Sequence, residues 1–475
     1  MMFVFGVLFM AFAIAVSIAL HEIGHLAPAK KFGVACREYM IGFGSTLWSR
    51  QWGETTYGVK AIPLGGYVRM IGMYPPSRAE QARVRDGAED LSVSERSQNA
   101  SAADEQSGRT RSGRVWPWSG MVAQAREASL AEIRPGEEDR VFYKLSVPKK
   151  LTIMFGGPMM NLVIAGVVMA GVFTTHGIAE SVGAKVVSVA QCVRPVVGAG
   201  AQDVTKPCTA ADTPSPAAAA GLRPGDQFVS IDGRQVRGTM DVATAVRPAA
   251  GRTVDVVVER GGQQVRLKVT PIAVQMPRVD EQGRVIVDAH GAPLTEKAGY
   301  MGMTSTPVSA FVPQPITAVP GFLADGVVQT VKVVAVLPAK LFGVWQAAFA
   351  GADRDANSPM SVVGVGRIAG EVADGRVAWL SDPGAMWAAM WMLVASLNIA
   401  LFVFNMIPLL PLDGGHMVGA VWEGFTKVVA RVRRRPDPGY VDVARAMPLA
   451  YVVTLLFIGM GVLLVYADVV APVRL

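Results

Sequence analysis

Four long runs without a single charged residue fix the problem this chain must solve: Met2 to Leu20, Ile153 to Phe173, Ala385 to Leu412 and Pro448 to Ala467. Each is long enough for an α-helix to cross a hydrocarbon core of ~30 Å. Composition agrees, with 51% hydrophobic and only 17% charged residues and a mean hydropathy of +0.34. An ordinary soluble protein carries roughly 25% charged residues. Yet 45 Lys+Arg and 38 Asp+Glu are too many for a chain that lives wholly in lipid. These numbers exclude a purely soluble enzyme, a disordered protein and a coiled coil. They predict a multi-span α-helical membrane protein, with four transmembrane helices and a substantial water-facing part. The first run has no basic n-region and no small-residue cleavage site, so it reads as a retained span, not a signal peptide.

Charge sets an expected orientation. The loop 28 to 150 holds 19 basic and 14 acidic residues, the segment 175 to 383 holds 19 and 18, and the loop 424 to 447 holds 6 and 2. Basic loops stay in the cytoplasm. Both basic loops then face the cytoplasm, and the near-neutral segment and both termini face outward. The net charge of +7 is accounted for by those loops. No aromatic-basic motif asks for a nucleic acid.

The expected layout follows the chain. Residues 1–27 form the first span, and 28–150 a cytoplasmic loop with a membrane-associated β segment at 39–73 and a polar, flexible insert at 75–140. Residues 151–175 form the second span. Small residues, a Gly-Asp turn, a strand and an Asp-Gly hairpin turn succeed one another in Ala217 to Val236, and predict a compact β-rich domain over 180–273. An amphipathic helix near Val327 to Phe349 lies in the region 274–383. The third span covers 384–416, a basic loop 417–447 and the fourth span 448–469. Cys192 and Cys208 lie 16 residues apart in the outer segment, where an oxidising compartment permits a disulfide. Cys36 reads as a free thiol.

The chemistry sits at the end of the first span, in His21-Glu22-Ile23-Gly24-His25. Residues four apart share a helix face, so His21 and His25 can turn two imidazoles to one metal. Glu22, one position on, can reach a water beside that metal and take its proton. Titratable groups at the end of an apolar span are costly to place and mark function. A catalytic zinc needs a third protein ligand. Asp413 is the acidic residue closing the third apolar run, in Asn405-Met-Ile-Pro-Leu-Leu-Pro-Leu-Asp413-Gly-Gly-His416. Pro408 and Pro411 break the helix there and Gly414-Gly415 permits a tight turn. His416 can also compete as a ligand, although its position just past Asp413 favours a supporting or structural duty.

With these motifs the sequence resembles the site-2 proteases, and within them the RseP-type group and its actinobacterial relatives with a single PDZ domain. The resemblance covers the whole chain in order. It implies that His21, His25 and Asp413 bind Zn²⁺, that Glu22 is the catalytic glutamate, and that Asn405 helps hold an extended substrate backbone. Gly156-Gly-Pro-Met-Met-Asn161 matches the family's Gly-Pro-x-x-Asn stretch. The glycine-rich segment 57 to 66, with Gly65 and Gly66, matches a hairpin that offers a strand edge to substrate. The β-rich domain would be an extracytoplasmic PDZ domain that binds peptide stumps. The implied activity is zinc-dependent cleavage of transmembrane segments of pre-trimmed proteins, such as anti-sigma factors, within the cell membrane near its cytoplasmic side. RseP itself carries tandem PDZ domains, whereas one PDZ-like stretch is present here, and the insert 75–140 has no counterpart. The competing expectation is a non-catalytic, membrane-anchored PDZ scaffold with a structural zinc. A metal transporter is disfavoured because no internal repeat is visible.

Overall fold

The structure is a computed structural model that describes residues 1–77, 119–193, 208–209, 212–278, 285–286, 288, 293–352, 354–355, 358–376 and 383–473. In chain order the main helices are α1 (Met2–Lys31), α2 (Ser119–Ala131), α3 (Val147–Thr175), α4 (Thr239–Val246), α5 (Val319–Ala335), α6 (Leu337–Phe349), α7 (Val362–Ala373), α8 (Pro383–Asn405), α9 (Asp413–Val432) and α10 (Met447–Val470). The chain divides into two compact units, one of Met1–Thr175 with Pro315–Leu475, the other of His176–Gln314.

The first unit is a helical bundle. Five of its helical stretches are long and apolar enough to cross a membrane: Met2–Lys31, Val147–Thr175, Ile316–Ala335, Pro383–Asn405 and Val443–Val470. The third of these is the least apolar and only 6% buried. Leu8 and Phe12 on α1 and Leu455, Ile458 and Val462 on α10 are large, apolar and exposed, the surface a helix shows to lipid rather than water. The chain is thus a membrane protein. Close helix approaches are made where the sequence supplies glycine. A Cβ at Gly6 would overlap the Ala369 carbonyl of α7, and one at Gly24 or Gly156 would overlap the other's backbone. Small residues let membrane helices touch backbone to backbone.

Between α1 and α3 the chain forms two long strands, β1 (Cys36–Trp52) and β2 (Thr55–Met70). Their antiparallel register is double: Tyr39 pairs with both Val68 and Tyr57, and Met40 with both Tyr67 and Gly58. Bends at the positive-φ glycines Gly42, Gly44 and Gly65 fold the hairpin back on itself, so the first half of β1 lies between two parts of β2. Tyr39 Oη donates to the Ala19 carbonyl at 2.8 Å, tying this sheet to α1.

Three regions differ from expectation. Within the segment read as a flexible insert, residues 119–131 are helical. That helix is fastened by Arg126 to Asp442 at 2.8 Å, with both side chains under 4% exposed, which composition alone cannot show. The part 78–118 lies outside the described residues. The amphipathic stretch is two helices, α5 and α6, because Pro338 enters at the start of the second. The basic loop 417–447 is largely α9, which begins at Asp413.

The second unit is β-rich, as its sequence predicts, and extends further than 180–273. Its antiparallel sheet runs Met303–Val312, Ile178–Val189, Gln227–Ile231, Val254–Arg260, Gln263–Val269. The last of these strands in sequence, Met303–Val312, pairs with the first along nearly its whole length. Phe228, Ile231, Val254, Val256 and Val258 are buried on one face with Leu222 and Val242. Asp232 and Gly233 have φ of 49° and 77°, the left-handed pair that a two-residue hairpin turn requires. Asp226 meets Arg260 at 2.7 Å. Cys192 and Cys208 form a disulfide, with Cα atoms 6.0 Å apart.

Candidate metal centre

His21 and His25 stand one turn apart on α1 and present their Nε2 atoms to the same point, 3.2 Å from each other. Asp413, the first residue of α9, brings its Oδ2 to 3.4 Å from His21 Nε2 and 3.3 Å from His25 Nε2. Among the described residues this is the one cluster of three metal-ligating side chains whose ligand atoms converge. Two elements far apart in sequence meet here because the backbone after α8 turns sharply. Pro408 and a cis Leu410–Pro411 peptide interrupt the helix, and Cβ atoms at Gly414 or Gly415 would overlap the backbone of residues 406 to 410. The two glycines let α9 start against the turn that precedes it.

The donor set fits zinc. His25 Nδ1–H donates to the Ile153 carbonyl at 2.8 Å, which leaves Nε2 with its lone pair aimed at His21. Two imidazole lone pairs and a carboxylate oxygen at this range repel unless a cation lies among them. Asp413 Oδ2 is buried without a hydrogen-bond partner. Tetrahedral Zn²⁺ with ligand bonds of ~2.0–2.1 Å sets its ligand atoms about 3.3 Å apart, the spacing found here.

Behind the ligands stands α3. Asn161 is fully buried, its side-chain amide lies 3.1 Å from His21 Nδ1, and its Oδ1 has no partner. An amide's oxygen and nitrogen are assigned from their partners. If His21 Nε2 holds a metal, Nδ1 carries the proton, and the amide oriented with Oδ1 towards it accepts that proton. Gly157, one helical turn before Asn161, lies against His25, where a Cβ would overlap Nε2. The spacing Gly157 to Asn161 is therefore a readable signal: two residues on one face of α3, one making room for a histidine and the other orienting its neighbour. The Gly-Pro-x-x-Asn motif by itself does not reveal this use. Asn398 lies in an uncharged run and carries no signal in the sequence. It is fully buried and donates to Ser17 Oγ at 2.9 Å, joining α8 to α1 one turn from His21.

Glu22 is 9% exposed. Gly66 of β2 packs against it, so a Cβ there would come to 3.0 Å from Glu22 Cγ. Gly65 has φ of 107°, backbone that favours glycine, and sits over the Phe43 ring. The sheet thus reaches α1 at Gly66, beside Glu22 and Ile18. Asn405 is the last residue of α8 and half-buried. His416 lies one turn into α9, three residues beyond Asp413.

Comparison with known proteins agrees with this geometry. Residues 9–436 match peptidase family M50. The zinc metalloprotease Rip1 of Mycobacterium bovis (strain BCG / Pasteur 1173P2) is 32% identical over 477 residues, covering 100% of both chains. Rip1 of Mycolicibacterium smegmatis is also 32% identical, over 487 residues and 100% of both. Metalloprotease MmpA of Caulobacter vibrioides is 27% identical over 427 residues, 88% of this chain and 86% of the relative. An HExxH helix that meets a distant aspartate across a glycine-packed helix pair, in a chain matched end to end by zinc metalloproteases, places this protein in peptidase family M50, the site-2 proteases, as a zinc-dependent protease of the membrane.

Proposed function

We propose that His21, His25 and Asp413 are the zinc ligands and Glu22 the general base of an endopeptidase that cuts within transmembrane segments. The observation that carries this reading is the convergence of three ligand atoms from α1 and α9 at 3.2–3.4 Å. Zinc bound there supplies Lewis-acid activation of water and of the scissile carbonyl. Glu22 takes the proton of the attacking water on its carboxylate and passes it to the leaving amide nitrogen. Asn161 keeps His21 oriented, and Ile153 does the same for His25. A transmembrane helix hides its peptide bonds in its own hydrogen bonds, so the substrate must be unwound before it can react. Gly66, which brings strand backbone against Glu22, its neighbour Gly65 and Asn405 are assigned to holding the unwound segment by added-strand pairing. The substrates are pre-trimmed membrane proteins, of which anti-sigma factors are one class.

The topology we favour has four spans, α1, α3, α8 and α10. The two basic loops touch each other: Lys150 meets Glu423 at 2.8 Å, Arg126 meets Asp442 at 2.8 Å, and the Tyr143 and Tyr440 rings lie 5.2 Å apart. Loops in contact lie on one side of the membrane, which supports two crossings between them, by α3 and α8, with α5 packed on α3 and α8 and not crossing. The unit 176–314 then lies outside the cytoplasm. Its strands and its Asp-Gly turn support a PDZ-type role, reading the stump that a first cut leaves. The disulfide Cys192–Cys208 suits that compartment.

Replacement of Glu22 by Gln tests the mechanism. The variant should fold and keep zinc while cleavage of a single-span reporter falls by about 10²–10⁴-fold. Wild-type rates from it would end the general-base assignment. A membrane-anchored scaffold would be indifferent to this change.

A further inference from the structure

One face of α9 is apolar and, among the described residues, exposed. Val418, Val421, Trp422, Phe425, Val428 and Val432 recur at steps of three and four, so they share a face, and each is more than half exposed. The Trp422 and Phe425 rings lie 5.5 Å apart on it. The opposite face is the packed one: Glu423 meets Lys150 of α3 at 2.8 Å, and Gly424 lies against Val147. A soluble surface rarely leaves an apolar stripe of this size to water. The course of the helix explains the stripe. At its start Asp413 meets His25, which is bonded to Ile153; further on its contacts are Lys150 and Val147, the first turn of α3. Thus α9 runs from the metal centre back along α3 to the end of that span, with the stripe turned outward.

The stripe ends in charge. Arg431, Arg433, Arg434 and Arg435 are all exposed. Arg433 closes α9, and Arg434 has φ of 50°, a left-handed position that glycine ordinarily fills at a helix end. The N–H groups of Arg434 and Arg435 turn back to the carbonyls of Arg431 and Ala430 at 3.1 and 2.8 Å, which gathers the arginines at one end of the helix. Two acids near them in sequence are committed elsewhere: Asp442 to the buried Arg126, and Glu423 to Lys150 and Lys427.

We propose that α9 is a seat for anionic lipid, its apolar stripe in the acyl chains at the membrane boundary and its four arginines on the phosphate headgroups beyond. A helix with an apolar face and a basic end suits that boundary. Guanidinium groups pair with phosphate oxygens two bonds at a time. A second copy of the chain would bring another cluster of the same charge, not its complement. The leaflet is the cytoplasmic one on the four-span topology above; the choice of lipid does not depend on that topology.

The test uses the full chain in nanodiscs of phosphatidylcholine alone or in equal parts with phosphatidylglycerol. Spin labels at Val421→Cys and Phe425→Cys should be reached by dissolved oxygen more readily than by a polar nickel chelate, and one at Pro438→Cys the reverse. Cys192 and Cys208 are bonded to each other and Cys36 is buried, so the label goes to the introduced cysteine. Mass spectrometry of the chain released from the mixed discs should find phosphatidylglycerol enriched over phosphatidylcholine. Arg434→Gly should lower that enrichment about fivefold, the effect of one arginine at an anionic surface. Its unfolding temperature should not fall, because glycine relaxes the left-handed turn. Lysine at all four positions should keep most of the enrichment and glutamine should abolish it. Nickel access at Val421 equal to that at Pro438 would put the stripe in water or under a protein and overturn the seat. Equal enrichment in the wild type and the four-glutamine variant would overturn it as well. Cleavage of the single-span reporter in the same discs reports the protease reading separately.

Discussion

Gly157 and Asn161 do opposite things for the two candidate histidine ligands. Gly157 is an absence: any side chain there would occupy the space of His25 Nε2. Asn161 is a presence, a fully buried amide that meets His21 Nδ1 at 3.1 Å. A partner on the far nitrogen fixes the tautomer and aim of a metal-binding imidazole, and its loss commonly costs 10–100-fold in metal affinity. Asn161→Leu should therefore weaken zinc binding by about 10–100-fold, while Asn161→Asp, which keeps an acceptor, should hold it. Competition against a chelator on the purified variants measures this. Equal affinities for wild type and Asn161→Leu would show that the contact is idle. His21, Glu22, His25 and Asp413 were legible in the sequence because titratable residues beside apolar spans are rare. Asn161 and Asn398 were legible only as a motif letter and as nothing at all, since an amide in an apolar run reveals no partner until the helices are packed.

Helices α3 and α9 are joined by a buried ion pair. Lys150 Nζ lies 3.0 and 2.8 Å from the two oxygens of Glu423, with both side chains 5% exposed or less. Glu423 also receives Lys427 at 2.7 Å and the Val441 N–H at 3.3 Å. Glu423→Leu would strand two lysines and should destabilise the chain by about 3–5 kcal/mol, whereas the double change with Lys150→Met should recover most of it. Thermal unfolding in detergent decides; a double variant as weak as the single one would mean that packing, not charge, is lost. In the β-rich unit, burial would raise the Asp226 carboxyl. The Arg260 guanidinium and the Arg223 N–H outweigh it and hold the group below its usual 3.8. A carboxyl depressed in the folded state contributes stability that is complete above its unfolded value and disappears as pH falls through the folded one. The urea midpoint of this unit should thus drop as pH falls below about 4, and Asp226→Asn should flatten that part of the profile at a lower midpoint. An unchanged slope in the variant would assign the acid sensitivity to other groups. Turn chemistry made Asp232-Gly233 readable in advance. The partner of Ile178–Val189 was not, because Met303–Val312 lies more than a hundred residues away and only pairing reveals it.

The whole chain repeats one logic: apolar runs find the membrane, and scattered polar residues join them. The four-run pattern gave the bundle from hydropathy. Hydropathy reads the stretch near Val327 to Phe349 as one amphipathic helix, whereas it is the pair α5 and α6, and the length and moderate apolarity of α5 suit a span and a surface helix equally. Cysteine labelling separates the two arrangements. Arg434→Cys should react with a membrane-impermeant maleimide only after the cytoplasm is opened, and Gln263→Cys from outside in intact cells. Labelling of both from outside would place an odd number of crossings between Lys150 and Glu423, and α5 would then be the fifth span.

The glycine crossing of α1 and α3 has a mechanical meaning. Gly24 and Gly156 meet backbone to backbone, and the His25–Ile153 bond lies across the same junction, so the two candidate histidine ligands and their supports form a single leaf. Asp413 follows a proline-broken turn, but α9 behind it is bolted to α3 of that same leaf by the buried Lys150–Glu423 pair. The three candidate ligands are thus carried by one braced frame, and a helix can be admitted beside that frame without pulling the metal-binding atoms apart.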